Sequence, residues 1–122
     1  MVEVICDTSF LIHLATRRIK NISAIETEIG PLEFLIPDVV SNELQNLLKN
    51  EKKQHDISTT LDYSKKLKKI SIPGKFADKA LVDYVKQNGG IIGTMDKDLK
   101  NLIKKNTGSI ISFSNDRMIL ES

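Results

Sequence analysis

The sequence predicts an α/β fold, a three-layer α/β/α sandwich around a central, mostly parallel sheet. Short apolar segments rich in β-branched residues alternate with segments in which apolar residues recur at helical spacing. The connections are short, and neighbouring parallel strands need crossover helices that cover the faces of the sheet. A chain of 122 residues, 40% of them hydrophobic, suits one domain with one core, and we expect that domain to span residues 1–122.

The first half of the chain is expected to contain two strands and four helices. Residues 2–6 (VEVIC) are short, β-branched and followed by Asp7, as in a buried strand. The next apolar pattern has helical spacing and stops at Arg17, Gly30 closes a second helix, and Pro37 ends a second strand. The expected strands are 2–6 and 33–36, and the expected helices are 10–17, 22–29, 38 or 39 to 49, and about 56 to 69.

The second half is expected to continue the alternation. Pro73 and Gly74 break the chain before a helix, and Gly89 caps that helix. Gly108 ends the last helix, and the segment SIISF after it is the last strand expected. The expected strands are 70–72, 91–94 and 109–113, and the expected helices are 76–88 and 97–105.

Composition and charge exclude several classes of protein. A net charge of +2 is too small for global charge alone to indicate nucleic-acid binding. The single Cys6 can form no internal disulfide, and there is no second cysteine to build a zinc site. No nearly uncharged stretch approaches the roughly 20 residues of a membrane span, and the N-terminus lacks a secretory pattern. We therefore expect a cytoplasmic protein with no membrane partner.

Two acids follow predicted strands. Asp7 comes directly after the first strand, and Asp96 comes two residues after the strand that ends at Thr94. Both should therefore project from the carboxyl edge of the sheet, where open α/β folds bind their ligands. Each also has a structural explanation, because a helix follows both residues and Asp is a favoured helix N-cap.

Two further acids lie on predicted helices. Glu43 falls three residues after Val40 and four before Leu47, on or beside the stripe that should pack against the sheet. A carboxylate placed there needs a cation, a hydrogen-bond network or a metal, or lies at the edge of the stripe. Asp78 stands in the first turn of its helix, where the helix dipole alone would favour an anion.

The conjunction of these acids predicts a metal site. At about 4 Å and an effective dielectric near 20, each like-charged pair would repel by roughly 4 kcal/mol, so a cation is needed between them. Oxygen ligands without a cysteine or a pair of histidines select hard cations, which favours Mg²⁺ or Mn²⁺. Asp98 is a candidate additional ligand, whereas His13 and His55 lie in different elements and are expected to be structural or exposed.

Four segments carry a family resemblance: VICDTSFL with Asp7, IPDVVSNEL with Glu43, GKFADKALVDYV with Asp78, and GIIGTMDKDLK with Asp96. In this combination they resemble the PIN-domain family of metal-dependent nucleases over nearly the whole chain. The form of the second and fourth segments is closer to the ribosomal-RNA-processing branch than to most VapC-type toxins. The last motif reads Thr94-Met95-Asp96 where the family commonly has T-N-D.

The resemblance implies an endoribonuclease that hydrolyses single-stranded RNA with Mg²⁺ or Mn²⁺, leaving 5′-phosphate and 3′-hydroxyl ends. It implies that the four acids hold the metal and that Ser9 and Thr94 support the first and last of them. Lys75, Lys79, Lys97 and Lys100 are candidates for gripping the phosphate backbone. The resemblance also implies an antitoxin or an RNA-processing partner, and a homodimer. Most aromatic residues are expected in the core, so no base-reading residue is predicted.

Two other functions stay open at this stage. A phosphoacceptor receiver domain has this length and alternation and binds Mg²⁺, but it would need paired acids after its first strand and a lysine after its last. The alternative within the same fold is a catalytically silent scaffold that binds RNA or protein and keeps its acids for hydrogen bonding.

Overall fold

Six strands and six helices alternate along the described part of the chain, residues 1–50 and 54–121 of a computed structural model. The strands are β1 (Val2–Cys6), β2 (Leu32–Pro37), β3 (Lys68–Ile70), β4 (Ile91–Gly93), β5 (Ser109–Ser114) and β6 (Arg117–Glu121). The helices are α1 (Thr8–Thr16), α2 (Ile22–Ile29), α3 (Asp38–Asn50), α4 (Gln54–Ser64), α5 (Ala77–Asn88) and α6 (Lys97–Lys105).

The strands form one sheet in the order β3-β2-β1-β4-β5-β6. Every neighbouring pair is parallel except β5 and β6, which are antiparallel. In β1, Val4, Ile5 and Cys6 are all buried, although successive side chains of a strand point to opposite faces. Both faces of the sheet are therefore covered, and the predicted α/β sandwich with a mostly parallel sheet is confirmed.

The third strand lies earlier than the sequence predicted. The fourth helix ends at Ser64 instead of Lys69, and a turn over 65–67 leads into β3 at Lys68 instead of Ile70. The lysines hid this strand because it forms the edge of the sheet, where charged side chains are tolerated. The Lys68 ammonium lies 3.9 Å from a carboxylate oxygen of Glu33 and 4.0 Å from one of Glu3, so it neutralises two acids on neighbouring strands.

A sixth strand, which the sequence did not predict, forms a hairpin with β5. Asn115 and Asp116 both have positive φ angles, 52° and 59°, and such a pair forms the turn that joins two antiparallel strands. Asp116 is therefore a turn residue, as the sequence indicated. The strand was hidden because it has only five residues, with a charged residue at each end, and lies at one edge of the sheet.

The core is centred on the junction between α1 and the middle of the sheet. The Phe10 ring stacks on Phe113 with a centroid separation of 4.6 Å and lies across Gly93 of β4. A Cβ atom at Gly93 would come within 2.8 Å of that ring, so glycine is required for α1 to approach the strand this closely. Among the residues that the structure describes, no helix has the length and apolar character needed to span a membrane.

Candidate active site

A pocket opens where β1 and β4 end side by side. The strands that follow β1 in sequence, β2 and β3, lie on one side of it, and β4 and β5 lie on the other. The strand order reverses between β1 and β4, and open α/β sheets bind ligands at such a switch point. The Asp7 amide donates to the Gly93 carbonyl at 2.9 Å, which ties the end of β1 to the end of β4. The pocket has a volume of about 410 Å³ and is lined by Asp7, Thr8, Ser9, Ile12, Glu43, Ala77, Asp78, Met95 and Asp96.

Asp7 lies at the base of the pocket and is 5% exposed. Its Oδ1 accepts hydrogen bonds from the Phe10 amide at 2.8 Å and the Ser9 hydroxyl at 2.9 Å, and its Oδ2 accepts one from the Thr94 hydroxyl. Burial nevertheless raises the pKa of Asp7 to about 6, because removal from water outweighs the lowering effect of these donors. Asp7 is thus both the N-cap of α1 and an acid with a raised pKa that faces the pocket.

Asp96 lies at the rim and caps α6. Its Oδ1 accepts from the amides of Asp98 and Leu99 at 2.9 and 3.2 Å, while the Asp96 amide donates to the Thr94 hydroxyl oxygen at 3.1 Å. The Ser9 hydroxyl oxygen accepts from the Met95 amide at 3.2 Å. Thr94 and Ser9 therefore connect the loops after β1 and β4 and hydrogen-bond to the two acids or to their neighbours.

Glu43 reaches the pocket from α3. Its Oε1 accepts a hydrogen bond of 2.7 Å from the Thr8 hydroxyl, a contact between residues 35 positions apart. The sequence did not single out Thr8, which it treated only as part of the turn after the first strand. The one available signal was the adjacency of Thr8 to Asp7, because the first residue of a helix that leaves a sheet edge faces the same cleft as its cap.

Asp78 stands in the first turn of α5 and is exposed. Within residues 1–50 and 54–121, its carboxylate has no hydrogen-bond or ion-pair partner. Partial burial raises its pKa, and the negative charges of Asp96 and then Glu43 raise it further. Asp96 and Glu43 therefore repel the Asp78 carboxylate across the pocket, and all four predicted acids line the same space.

The charged side chains that line the pocket are all carboxylates, and no lysine or arginine is among the lining residues. This donor set fits a hard divalent cation, which would relieve the repulsion that raises the pKa of Asp78. The carboxylates line the pocket but are not drawn together around a common point: no three His, Cys, Asp or Glu side chains of the described ranges stand close enough to form a ready-made metal cluster.

Comparison with known proteins decides the family. Residues 4–115 match the family model described as a PIN like domain, which covers most of the chain. The chain belongs to this PIN-like family. A phosphoacceptor receiver domain, which the sequence left open, is thereby set aside.

Two relatives support the assignment of this PIN-like domain. The protein named ribonuclease VapC4, from Methanocaldococcus jannaschii, is 30% identical over 112 residues, which are 87% of this chain and 86% of that protein. Among solved structures, the PIN domain endonuclease Utp24 superposes with a TM-score of 0.74 and 25% identity, over 98% of this chain and 90% of that one. The family match ends at residue 115, in the turn before β6, so the hairpin strand follows the matched region.

The PIN-like domain does not bring every predicted site residue to the pocket. Asp98 and Lys97 are exposed on the first turn of α6 and do not line it. The Lys100 ammonium lies 3.2 Å from Glu121 and is held at the β6 edge. Lys75 and Lys79 line a separate hollow beside the N-terminus of α5.

Of the two histidines, His55 is exposed on α4. His13 stacks on Phe113 with a centroid separation of 4.5 Å, and its Nε2 lies 3.2 Å from Asp116. Neither lines the acidic pocket, and both fit the structural or exposed positions expected of them.

Proposed function

We propose that this PIN-like domain is an endoribonuclease that hydrolyses phosphodiester bonds in single-stranded RNA with Mg²⁺ or Mn²⁺. One observation carries the proposal: carboxylates from four separate segments, Asp7, Glu43, Asp78 and Asp96, line a single pocket in which no lining side chain is cationic. Relatives named as a ribonuclease and an endonuclease support it. Stability alone does not account for the arrangement, since the pKa values of Asp7 and Asp78 are both raised.

Asp7, Glu43, Asp78 and Asp96 would hold the cation. When bound, it would supply a water of lowered pKa and offset the negative charge that builds up on the phosphate during hydrolysis. Three hydrogen-bond donors hold the Asp7 carboxylate in place, so it would be a rigid ligand at the bottom of the site. The Thr8 hydroxyl orients Glu43, and Asp96 commits Oδ1 to α6, which leaves Oδ2 for a ligand. The unpaired carboxylate of Asp78 is free to adjust its position.

We further propose that the protein acts in the cytoplasm, as a homodimer, in one of two settings. In the first, it is a VapC-type toxin, and an antitoxin segment covers the acidic pocket. In the second, it is an RNA-processing enzyme, and a partner positions its substrate. The two settings predict different partners for the same pocket, so co-purification from the native cell followed by peptide identification separates them.

A catalytically silent scaffold is the second candidate. The observation in its favour is that two of the acids already have structural roles, because Asp7 caps α1 and Asp96 caps α6. Such a scaffold would bind RNA or a protein without cleaving a phosphodiester bond, and its acids would hold loops instead of a cation.

The deciding experiment incubates a mixed pool of single-stranded RNA with the protein in Mg²⁺, Mn²⁺ or excess chelator. We expect cleavage with either cation, none with chelator, and products that carry 5′-phosphate and 3′-hydroxyl ends. Asp96→Asn should abolish cleavage and keep the fold, because Asn caps a helix as well as Asp does. Asp62→Asn, an exposed acid on α4, is the matched control and should cleave normally.

The scaffold has a different signature in the same assay. It predicts no cleavage by the wild-type protein under any condition, and no heat when Mn²⁺ is titrated at neutral pH. That pair of results would overturn the nuclease proposal.

A further inference from the structure

One aromatic side chain stands outside the core. The Phe10 ring lies near both Phe34 and Phe113 around the middle of the sheet, with centroid separations of 6.1 Å and 4.6 Å. Phe76, in contrast, is 68% exposed. Phe76 is therefore the aromatic ring that the core leaves free to contact a ligand.

The placement of Phe76 serves the stability of α5 poorly. It occupies the N-cap position, where Ser, Thr, Asp or Asn would satisfy an amide of the first turn, and its side chain makes no capping hydrogen bond. Its ring gains little from burial either. A residue that breaks a local rule without a gain in packing is a candidate for function.

The loop before Phe76 is anchored at both ends of its turn. Ile72 is buried, and its amide donates to Asp38 of α3 at 2.8 Å. Gly74 follows with a φ of 154°, and a Cβ atom there would lie 2.9 Å from the Cβ of Ala80, so the turn packs directly on α5. The ring is thus presented by a fixed loop and not by a loose one.

The surroundings of Phe76 match a nucleic acid in both charge and position. Lys75 and Lys79 line the same hollow of about 350 Å³ as the ring, and Asp83 adds one acid to its lining, so cations outnumber acids there by two to one. The first turn of α5 separates this hollow from the acidic pocket, because Ala77 and Asp78 line the pocket while Phe76 and Lys79 line the hollow. An RNA strand with one phosphate at the carboxylates of the acidic pocket would therefore have a neighbouring base near the Phe76 ring and a neighbouring phosphate near Lys75 and Lys79.

We propose that Phe76, with Lys75 and Lys79, forms a stacking platform for one base of the single-stranded RNA next to the phosphodiester that is cleaved. The proposal rests on the proposed function and adds a specificity-determining residue to it. Stacking on an aromatic ring tolerates any base, so the platform favours unpaired RNA over duplex without selecting a sequence.

Binding is measured first in the Asp96→Asn protein, so that a fluorescent single-stranded RNA stays intact during anisotropy titration. Phe76→Leu retains an apolar side chain but loses the ring, and we expect roughly 5- to 100-fold weaker binding. Phe76→Tyr should restore affinity to within about twofold. Leu102→Ala, which alters an exposed apolar residue of α6, is the matched control and should bind normally.

An abasic scan of the RNA locates the stacked base. Replacing bases one at a time should weaken binding strongly at one position in the protein that has Phe76. In Phe76→Leu the same abasic site should cause no further loss. Equal affinity of Phe76→Leu and its parent, or losses that add independently, would overturn the platform. Unchanged RNA affinity with altered self-association in sedimentation would also overturn it and assign the ring to a protein contact.

Kinetics of the cleaving protein separate this proposal from the one on which it rests. Phe76→Leu should raise KM while kcat stays within about threefold. If the wild type cleaves RNA and Phe76→Leu has an unchanged KM, the platform is wrong and the nuclease stands. If the wild type cleaves nothing while binding still depends on the ring, the nuclease is wrong and the platform stands. Absence of RNA binding in every variant rejects the platform.

Discussion

Two groups of charged residues in this protein shift the pKa values of their carboxylates in opposite directions. At the β6 edge, Glu121 accepts a 2.8 Å hydrogen bond from Ser112, and the ammonium groups of Lys104 and Lys100 lie 3.1 and 3.2 Å away. The Ser112 bond, followed by the lysines, lowers the pKa of Glu121 to about 2. In the acidic pocket, burial and neighbouring acids raise the pKa of Asp7 and Asp78 instead.

The contrast separates a carboxylate that is neutralised by other residues of the chain from carboxylates that are not. The Glu121 cluster (Glu121, Ser112, Lys100 and Lys104) is complete within the chain and fastens α6 and β5 to β6. The pocket gathers four acids without a lining cation, and Asp78 has no partner among the residues that the structure describes. The proposed function assigns the balancing charge to a bound cation, and this unbalanced set of acids is its physical basis.

The largest expected effect is the loss of RNA cleavage when Asp78 is replaced. Asp78→Asn should lower the rate of RNA cleavage by about 100- to 1000-fold, because it removes a negatively charged oxygen ligand from the proposed cation site. The unfolding free energy should change by less than about 0.5 kcal/mol, since the side chain is exposed. Single-turnover cleavage and urea unfolding measure the two quantities. Asp62→Asn, an exposed acid on α4, should alter neither, and a matching loss in that variant would refute the assignment.

The next effect concerns stability and pH, measured in chelator. The folded chain binds the Asp7 proton more tightly than the unfolded chain, with a pKa of about 6 against 3.8. The contribution of Asp7 to stability is therefore fully present below pH 4 and declines as the pH rises through 6, by up to about 3 kcal/mol. Asp7→Asn should remove this decline while keeping the cap. Parallel curves for the two proteins from pH 4 to 7 would contradict the prediction.

The smallest effect belongs to the Glu121 cluster, and its sign is opposite. Because the folded pKa of Glu121 is lowered from 4.5 to about 2, its contribution is present above pH 4.5 and disappears as the pH falls toward 2. Glu121→Gln should cost about 1 kcal/mol at neutral pH, the scale of a small surface network. Cleavage should be unaffected, since the cluster does not line the pocket. A gain in stability at neutral pH would show that the cost of removing the Glu121 carboxylate from water exceeds the attraction of Ser112 and the two lysines.

Much of the candidate site was visible in the sequence because its positions follow from local rules. Asp7 and Asp96 come at the ends of apolar strands, and parallel strands place their carboxyl ends at one edge. Glu43 was found because a carboxylate interrupted a helical apolar stripe. Each inference needed only the period of one element and the direction of the sheet.

The remaining features depend on contacts between distant segments, which no local pattern contains. The bond from Thr8 to Glu43 joins α1 to α3, and Lys100 turns toward Glu121 because of a hairpin strand that the sequence did not predict. The third strand carries lysines that resemble the end of a helix until Glu33 and Glu3 are seen beside them. Phe76 was expected to be the first residue of its helix, but it lies at the cap position, one residue before the helix begins.

The hydrogen bond between Thr94 and Asp7 joins residues 87 positions apart. During synthesis the amino-terminal part of a chain leaves the ribosome first, so Asp7 is exposed to the cell well before Thr94 has been joined to the polypeptide. The Asp7 carboxylate cannot form this hydrogen bond until β4 has paired with β1. The pocket therefore cannot be complete until most of the polypeptide has been made, and we expect the proposed activity to arise only late in synthesis.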